Sequence, residues 1–532
     1  MDPINRRTWI KGAGALAALT ATSSLSATPV LSASLSPPRA GRYRGLREDG
    51  VCAFKGIRYG RAQRFARAVA EPFEGPLLEA TRFGPVCPQR GMADAPQSED
   101  CLFLNVWTPE TAGKTASARR AVMVYFHGGA YSNGSVTDPL THGAKLAAGG
   151  DVVVVTVNHR IGPLGYAWLK PLDATLADSG NLGQLDLILA LEWVRDHIAA
   201  FGGDPARVMV FGQSGGGAKI ATLMAMPQAR GLFHAAATMS GQQVQASGPA
   251  HALARTHAWM ARMGLGASDV ASLRSLPVER LIAAIDTPDP VMGGALYFGP
   301  VLDMTNLPRH PFWPDAAPQS LSIPMILGNV HDETRAFLDP RGPKLAGLDW
   351  SNLPARMAAE VKIDLDPDWV IAQYRAQAPH WSPQEVYFAA TTAGRSWPGQ
   401  VIEADARARA GARDTWVYQL DRRSPLDPLR GAAHTDDIPY VFGTLDAPGS
   451  FSGTDAGARA LSARMMAAFA TLARTGRPGP APDIAPGMPE WTPYRVPARA
   501  TMIFDDAPRM VDDPRGWQRR IWAHGPYVQP GS

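Results

Sequence analysis

Gly212-Gln213-Ser214-Gly215-Gly216 sets one serine among glycines, directly after the apolar run Arg207 to Phe211 and just before a helical run, Ala218 to Met226. A serine hydroxyl is a poor nucleophile at neutral pH, so chemistry at Ser214 requires that it be exposed, given a base, and faced by donors for the oxyanion that forms on attack. A sharp strand-to-helix turn supplies the exposure, and its flanking glycines leave room for neighbouring backbone. The following helix aims its N-terminal amides at the reacting carbonyl. A second segment, His127-Gly128-Gly129-Ala130-Tyr131, follows the apolar run Ala121 to Phe126. That is where a strand-turn-helix nucleophile finds its remaining oxyanion donors. The amides of Gly129, Ala130 and Gly215 are therefore the expected oxyanion hole. A glycine-rich turn alone is an ordinary loop device; two of them, each after a buried run, point to acyl transfer.

The elements that must hold these residues alternate between short apolar runs and helical stretches, which implies an α/β fold with a central, mostly parallel twisted sheet flanked by helices. Ala121 to Phe126 and Asp151 to Val157 read as strands buried on both faces. Leu187, Leu191, Val194 and Ile198 recur at helical spacing, predicting a helix from Gln184 to Ala200 that Phe201-Gly202-Gly203-Asp204-Pro205 terminates. Further strands are expected at Ala235 to Met239, Ile323 to Leu327 and Thr415 to Leu420, and a surface loop at Gly476 to Gly487. No linker divides residues 35–532, so they read as one catalytic domain.

The chain of 532 residues carries a formal charge of +4, with its arginines scattered, which gives no nucleic-acid footprint. No metal-ligand spacing and no phosphate-binding loop occurs, so neither a metal nor an organic cofactor is expected. Residues 1–34 differ from the rest: Asn5-Arg6-Arg7-Thr8-Trp9-Ile10-Lys11 precedes a weakly apolar run rich in Ala, Ser and Thr. This resembles a bacterial twin-arginine export signal, with cleavage between Ala27 and Ala40 and a periplasmic or secreted destination. The run is too polar for a stable membrane anchor. Export permits disulfides, and three cysteines allow at most one bridge within the chain. Cys87 and Cys101 close a short polar loop and are the expected pair, worth about 3 kcal/mol in the chain-entropy account. Cys52, in an apolar run, is expected as a buried free thiol.

Two long motifs place the chain beside a known family. Phe201-Gly202-Gly203-Asp204-Pro205 leading to Ser214-Gly215-Gly216, and Glu99-Asp100-Cys101-Leu102-Phe103-Leu104-Asn105-Val106-Trp107-Thr108-Pro109, resemble the signatures of the type-B carboxylesterases. That family includes cholinesterases, bacterial para-nitrobenzyl esterases and non-catalytic neuroligins. The resemblance implies the α/β-hydrolase fold and a triad in the order serine, acid, histidine. Gly328-Asn329-Val330-His331-Asp332-Glu333 matches the family's acid segment, which makes Glu333 the expected acid and Asp332 its rival. His434, just before Asp436-Asp437-Ile438-Pro439-Tyr440, matches the catalytic histidine and would shuttle the proton of Ser214. His127 and His331 are expected to be structural.

The sequence departs from the family at three points. Gln213 stands where glutamate is common, removing a negative charge. Gly215 replaces the usual alanine, allowing more backbone freedom at the oxyanion site. The Cys87 to Cys101 loop holds Arg90 but no tryptophan, which argues against recognition of a quaternary ammonium. The expected function is hydrolysis of soluble short-chain, medium-chain or bulky esters through an acyl-enzyme, with a small-molecule ester as partner. A catalytically silent binding module, or a lipase or amidase sharing the triad, are the alternatives. Tyr131 and the region from Gly294 to Met304 are candidates for lining the site.

Overall fold

A computed structural model describes residues 37–92, 95–111, 119–479 and 486–529. The export segment therefore lies outside the described residues, as does the middle of the loop expected at Gly476 to Gly487. The strands that organise the chain are β1 (Leu46–Glu48), β2 (Val51–Arg58), β3 (Phe103–Pro109), β4 (Arg120–Phe126), β5 (Val153–Val157), β6 (Gly203–Gln213), β7 (Ala235–Met239), β8 (Met325–Val330), β9 (Thr415–Leu420), β10 (Ala500–Phe504) and β11 (Arg509–Asp512). They form one eleven-stranded sheet in the order β1-β2-β3-β5-β4-β6-β7-β8-β9-β10-β11. Every neighbouring pair from β5 across to β10 is parallel. The two ends are antiparallel, with β1, β2 and β3 on one side and β11 on the other. Among the described residues no helix is long and apolar enough to cross a membrane.

Alternation along each strand explains why both faces are packed. In β4, Val122, Val124 and Phe126 enter one core while Ala121, Met123 and Tyr125 enter the other. Strands covered on both faces must read as continuous apolar runs, which is how β4 and β5 read. Helix α1 (Leu182–His197) lays Leu187, Leu191 and Val194 on the first core, joined there by Ile220 and Leu223 of α2 (Gly215–Leu223). Helix α5 (Ala456–Thr475) covers the second with Leu461, Met465, Phe469 and Leu472. A third, smaller core gathers Val386, Phe388 and Ala393 of α3 (Pro383–Arg395) and Trp397 of α4 (Trp397–Arg409).

Several element boundaries differ from expectation for identifiable reasons. Asp151 does not open β5; it caps the preceding helix with a left-handed φ of 48°. Strand β6 begins at Gly203 rather than Arg207, with a register shift between Gly203 and Val208 where Pro205 cannot donate to the ladder. Helix α2 starts at Gly215, earlier than the poor helix propensity of three successive glycines suggested. Strand β8 runs to Val330, beyond the expected Leu327, because Asn329 and Val330 pair with Gln419 and Leu420.

The expected Cys87 to Cys101 disulfide is corrected: all three cysteines are free thiols. Cys87 and Cys101 do come together, and their interaction and burial push the Cys101 thiol well above its ordinary range. The Cys87 sulfur also accepts from the Ile161 amide at 3.4 Å. Cys52 is free but half-buried rather than buried, since it lies in the second strand from the sheet edge.

Candidate active site

The site forms at the carboxyl ends of the parallel strands, where an open α/β sheet leaves its crevice. Ser214 lies between β6 and α2 with φ 56° and ψ −128°. That geometry costs a non-glycine residue about 1–3 kcal/mol, so it persists only where the surroundings enforce it. Here the Ser214 amide donates to Met239 O at the end of β7 at 2.7 Å, and Ser214 O accepts from Ala218 N at 3.1 Å. The turn then packs backbone against backbone on the end of β4. A Cβ on Gly216 would lie 2.0 Å from Phe126 O.

The loop after β4 carries Gly129, Ala130 and Tyr131 at φ 92°, 50° and 60°. Gly129 O turns inward to accept from Ser132 N and Asn133 N at 2.8 and 3.1 Å, and the amides of Gly129 and Ala130 have no partner among the described residues. The Gly215 amide, at the first position of α2, likewise has no intrahelical partner. A methyl at position 215 would sit 2.8 Å from Ala130 N. The absence of a side chain at Gly215 thus leaves room for the backbone of the loop after β4 to approach the Ser214 turn.

Lys219, one turn further along α2, is fully buried and donates to His127 O at 2.9 Å, with its ammonium 5.4 Å from the Tyr131 ring. Burial pulls it down to about 7. Together these contacts tie the start of the His127 to Tyr131 loop to α2. His127 is structural: its Nδ1 meets Gly128 O at 2.9 Å, its ring stacks on His159 at 4.6 Å, and burial holds it in the neutral form.

Glu333 and His434 approach from the other side of β7. His434 Nδ1 lies 2.5 Å from Glu333 Oε2. Glu333 is fully buried, and its other oxygen accepts from Asn329 Nδ2 at 2.8 Å and Val330 N at 3.0 Å. Burial alone would raise the Glu333 carboxyl; the imidazole of His434, with the Ser240 hydroxyl and the Val330 amide, outweighs it and lowers the carboxyl from its usual range. Asp332, the rival, faces away. It accepts from Ala432 N at 3.1 Å and sits against His331 at 3.1 Å, so it fastens the segment before His434 to the end of β8. Asp437 is also buried here, accepts from Tyr418 at 2.7 Å, and is pushed up to about 7 by burial and by Glu333.

Gln213 makes a contact that its sequence position did not announce. Its side-chain nitrogen lies 3.2 Å from His434 Nε2, so in this structure that ring nitrogen is engaged by Gln213 rather than by Ser214. An amide donor there marks Nε2 as the unprotonated nitrogen, with the proton on Nδ1 toward Glu333.

A cavity of about 130 Å³ opens over Ser214 and is also lined by Ala130, Gly215, Tyr131, Tyr297 and Arg395. Tyr131 was expected there. From the region Gly294 to Met304, Tyr297 reaches the cavity, whereas Met304 is 68% exposed and points elsewhere. Sequence reasoning missed Lys219, Glu403 and Arg395. A lysine inside the apolar run Ala218 to Met226 was the available signal for the first. Glu403 and Arg395 lie on α4 and α3, which carry no motif.

The carboxylesterase family profile matches residues 32–522. The para-nitrobenzyl esterase of Bacillus subtilis strain 168 is 32% identical, over 90% of this chain and 96% of that protein. A phenmedipham hydrolase of Pseudarthrobacter oxydans is 34% identical, over 76% of this chain and 82% of its own. Among solved structures, a Geobacillus stearothermophilus carboxylesterase superposes with a TM-score of 0.78 at 34% identity, covering 92% of this chain and 99% of that one.

Proposed function

The chain belongs to the type-B carboxylesterase family, and from that premise we propose that it cleaves soluble esters through Ser214, with His434 as base and Glu333 as the acid that orients it. One observation carries the reading: a single cavity is lined by the Ser214 turn and by both sides of the expected oxyanion hole, Ala130 and Gly215. Its small volume favours short acyl groups or compact esters.

In this mechanism Ser214 Oγ attacks the ester carbonyl carbon while His434 Nε2 takes the hydroxyl proton. The bond to Glu333 keeps the other ring nitrogen protonated and stabilises the imidazolium that forms. The carbonyl oxygen becomes an oxyanion facing the amides of Gly129, Ala130 and Gly215. Collapse of the tetrahedral species breaks the bond to the alcohol oxygen, which leaves with the proton from His434. Water, deprotonated by His434, then attacks the acyl-enzyme and releases the acid and free Ser214. For the first step His434 must exchange its Gln213 contact for one with Ser214, a tightening expected when substrate fills the site.

The test is hydrolysis of para-nitrophenyl acetate, butyrate and octanoate by the purified protein and by Ser214→Ala. Cleavage by the wild type that vanishes in the folded variant supports the reading, with acetate and butyrate preferred to octanoate. Equal cleavage by both proteins would remove Ser214 as the nucleophile.

A further inference from the structure

The cavity over Ser214 contains one charged side chain among its described lining residues, and it is a cation. Arg395 is the last residue of α3 and is exposed at the cavity lip. Its guanidinium carbon stands 4.7 Å from the centroid of the Phe337 ring, and that ring lies 4.9 Å from the ring of His434. Aromatic stacking orients the guanidinium without neutralising it. No carboxylate of the described residues forms an ion pair with Arg395, whereas Arg335 meets Asp332 and Arg430 meets Asp436.

The surroundings carry little negative charge that could cancel this cation. The residue before the nucleophile is the neutral amide Gln213. Glu333 is fully buried and committed to His434. Glu403 is buried behind the cavity wall, where its Oε1 accepts from Gln243 N at 2.7 Å. Its other oxygen has no partner among the described residues. Desolvation raises Glu403 to about 8, so it is predominantly neutral at pH 7. The remaining polar lining, including Gln243, Ser396 and Tyr527, is uncharged.

Resting on the esterase reading above, we infer that this site selects esters that themselves bear a carboxylate, and that Arg395 is the specificity-determining residue that receives it. A guanidinium presents parallel N–H donors that match a carboxylate in two-point contact, so geometry as well as charge selects the partner. The carboxylate can be carried on the acyl part or on the alcohol part of the ester; the chemistry recognised is the same.

The experiment compares kcat/KM for two matched pairs. Monomethyl adipate against methyl hexanoate places the charge on the acyl side, and 4-carboxyphenyl acetate against phenyl acetate places it on the alcohol side. The wild type is expected to favour the acid-bearing ester in at least one pair by about tenfold or more, as a charge-assisted hydrogen bond implies. That preference should weaken as ionic strength rises. Arg395→Ala should bring the ratio near unity, Arg395→Glu should invert it, and Arg395→Lys should retain part of it, with thermal melting confirming that each variant is folded. A wild type that cleaves the neutral esters with no preference in either pair overturns the inference and leaves the esterase reading intact. A preference that survives in Arg395→Ala also overturns it, since the carboxylate is then read elsewhere. Failure of the wild type to cleave any of the four esters would instead count against the esterase reading itself.

Discussion

The serine half of the site and the acid-imidazole half are built from different materials. Around Ser214 the contacts are backbone on backbone: Gly216 faces Phe126 O with no space for a methyl, and Gly215 faces Ala130 N in the same way. Around His434 the contacts are side-chain hydrogen bonds between residues 101 positions apart in the chain, Glu333 and His434. The first arrangement has almost no slack and is insensitive to pH. The second can be retuned by one atom, because its strength depends on which groups carry protons.

The comparison can be broken most severely on the acid side. Glu333→Gln keeps the shape but removes the charge that fixes the His434 tautomer, and kcat should fall on the order of 10⁴-fold with little change in KM. Steady-state kinetics on para-nitrophenyl butyrate would read this, and a drop of only a few-fold would demote Glu333 to a structural role. On the serine side, Gly216→Ala places a methyl against Phe126 O and must shift the turn or the oxyanion loop. A displacement near 1 Å implies a loss of about 10² in kcat/KM, accompanied by a lower melting temperature. An alanine variant with wild-type kinetics would show that the turn has slack after all.

The smallest effect sharpens the contrast through pH. Glu403 has its folded value raised to about 8 by burial, so between pH 5 and 8 the unfolded chain has released a proton that the folded one keeps. Stability is then fully present below the ordinary glutamate range and is lost as pH rises through about 8. Relative to wild type, Glu403→Gln should gain up to a few kcal/mol of stability between pH 5 and pH 8, read by denaturant melts across that range. A difference between the two proteins that stays constant with pH would mean that Glu403 is ionised when folded.

Legibility in the sequence followed the range of the interaction. The runs that became β4, β5, β7 and β9 were readable because burial on both faces demands continuous apolar residues. The edge strands β1 and β11 were not, since their residues are largely half-buried or exposed and carry no such pattern. The helices α3 and α4 were likewise unread. Helix α3 packs mainly within the third core, and α4 meets β8 and β9 through long side chains such as Gln400 and Arg407, so no strand-turn-helix motif marks either.

By itself the sequence determined the Ser214 turn and the His127 to Tyr131 loop, because close backbone approach at Gly129, Gly215 and Gly216 leaves no space for a side chain and marks both turns locally. Resemblance to a family pointed to Glu333 and His434, and only the tertiary structure brings Glu333, rather than Asp332, within hydrogen-bonding distance of His434. The strand end at Val330 directs one carboxyl to His434 and the other to the Ala432 amide. It also placed Arg395 at the lip of the cavity over Ser214, and brought Cys87 and Cys101 together as thiols. These outcomes depend on where distant segments meet, and a side chain's long-range partners leave no periodic signal along the chain.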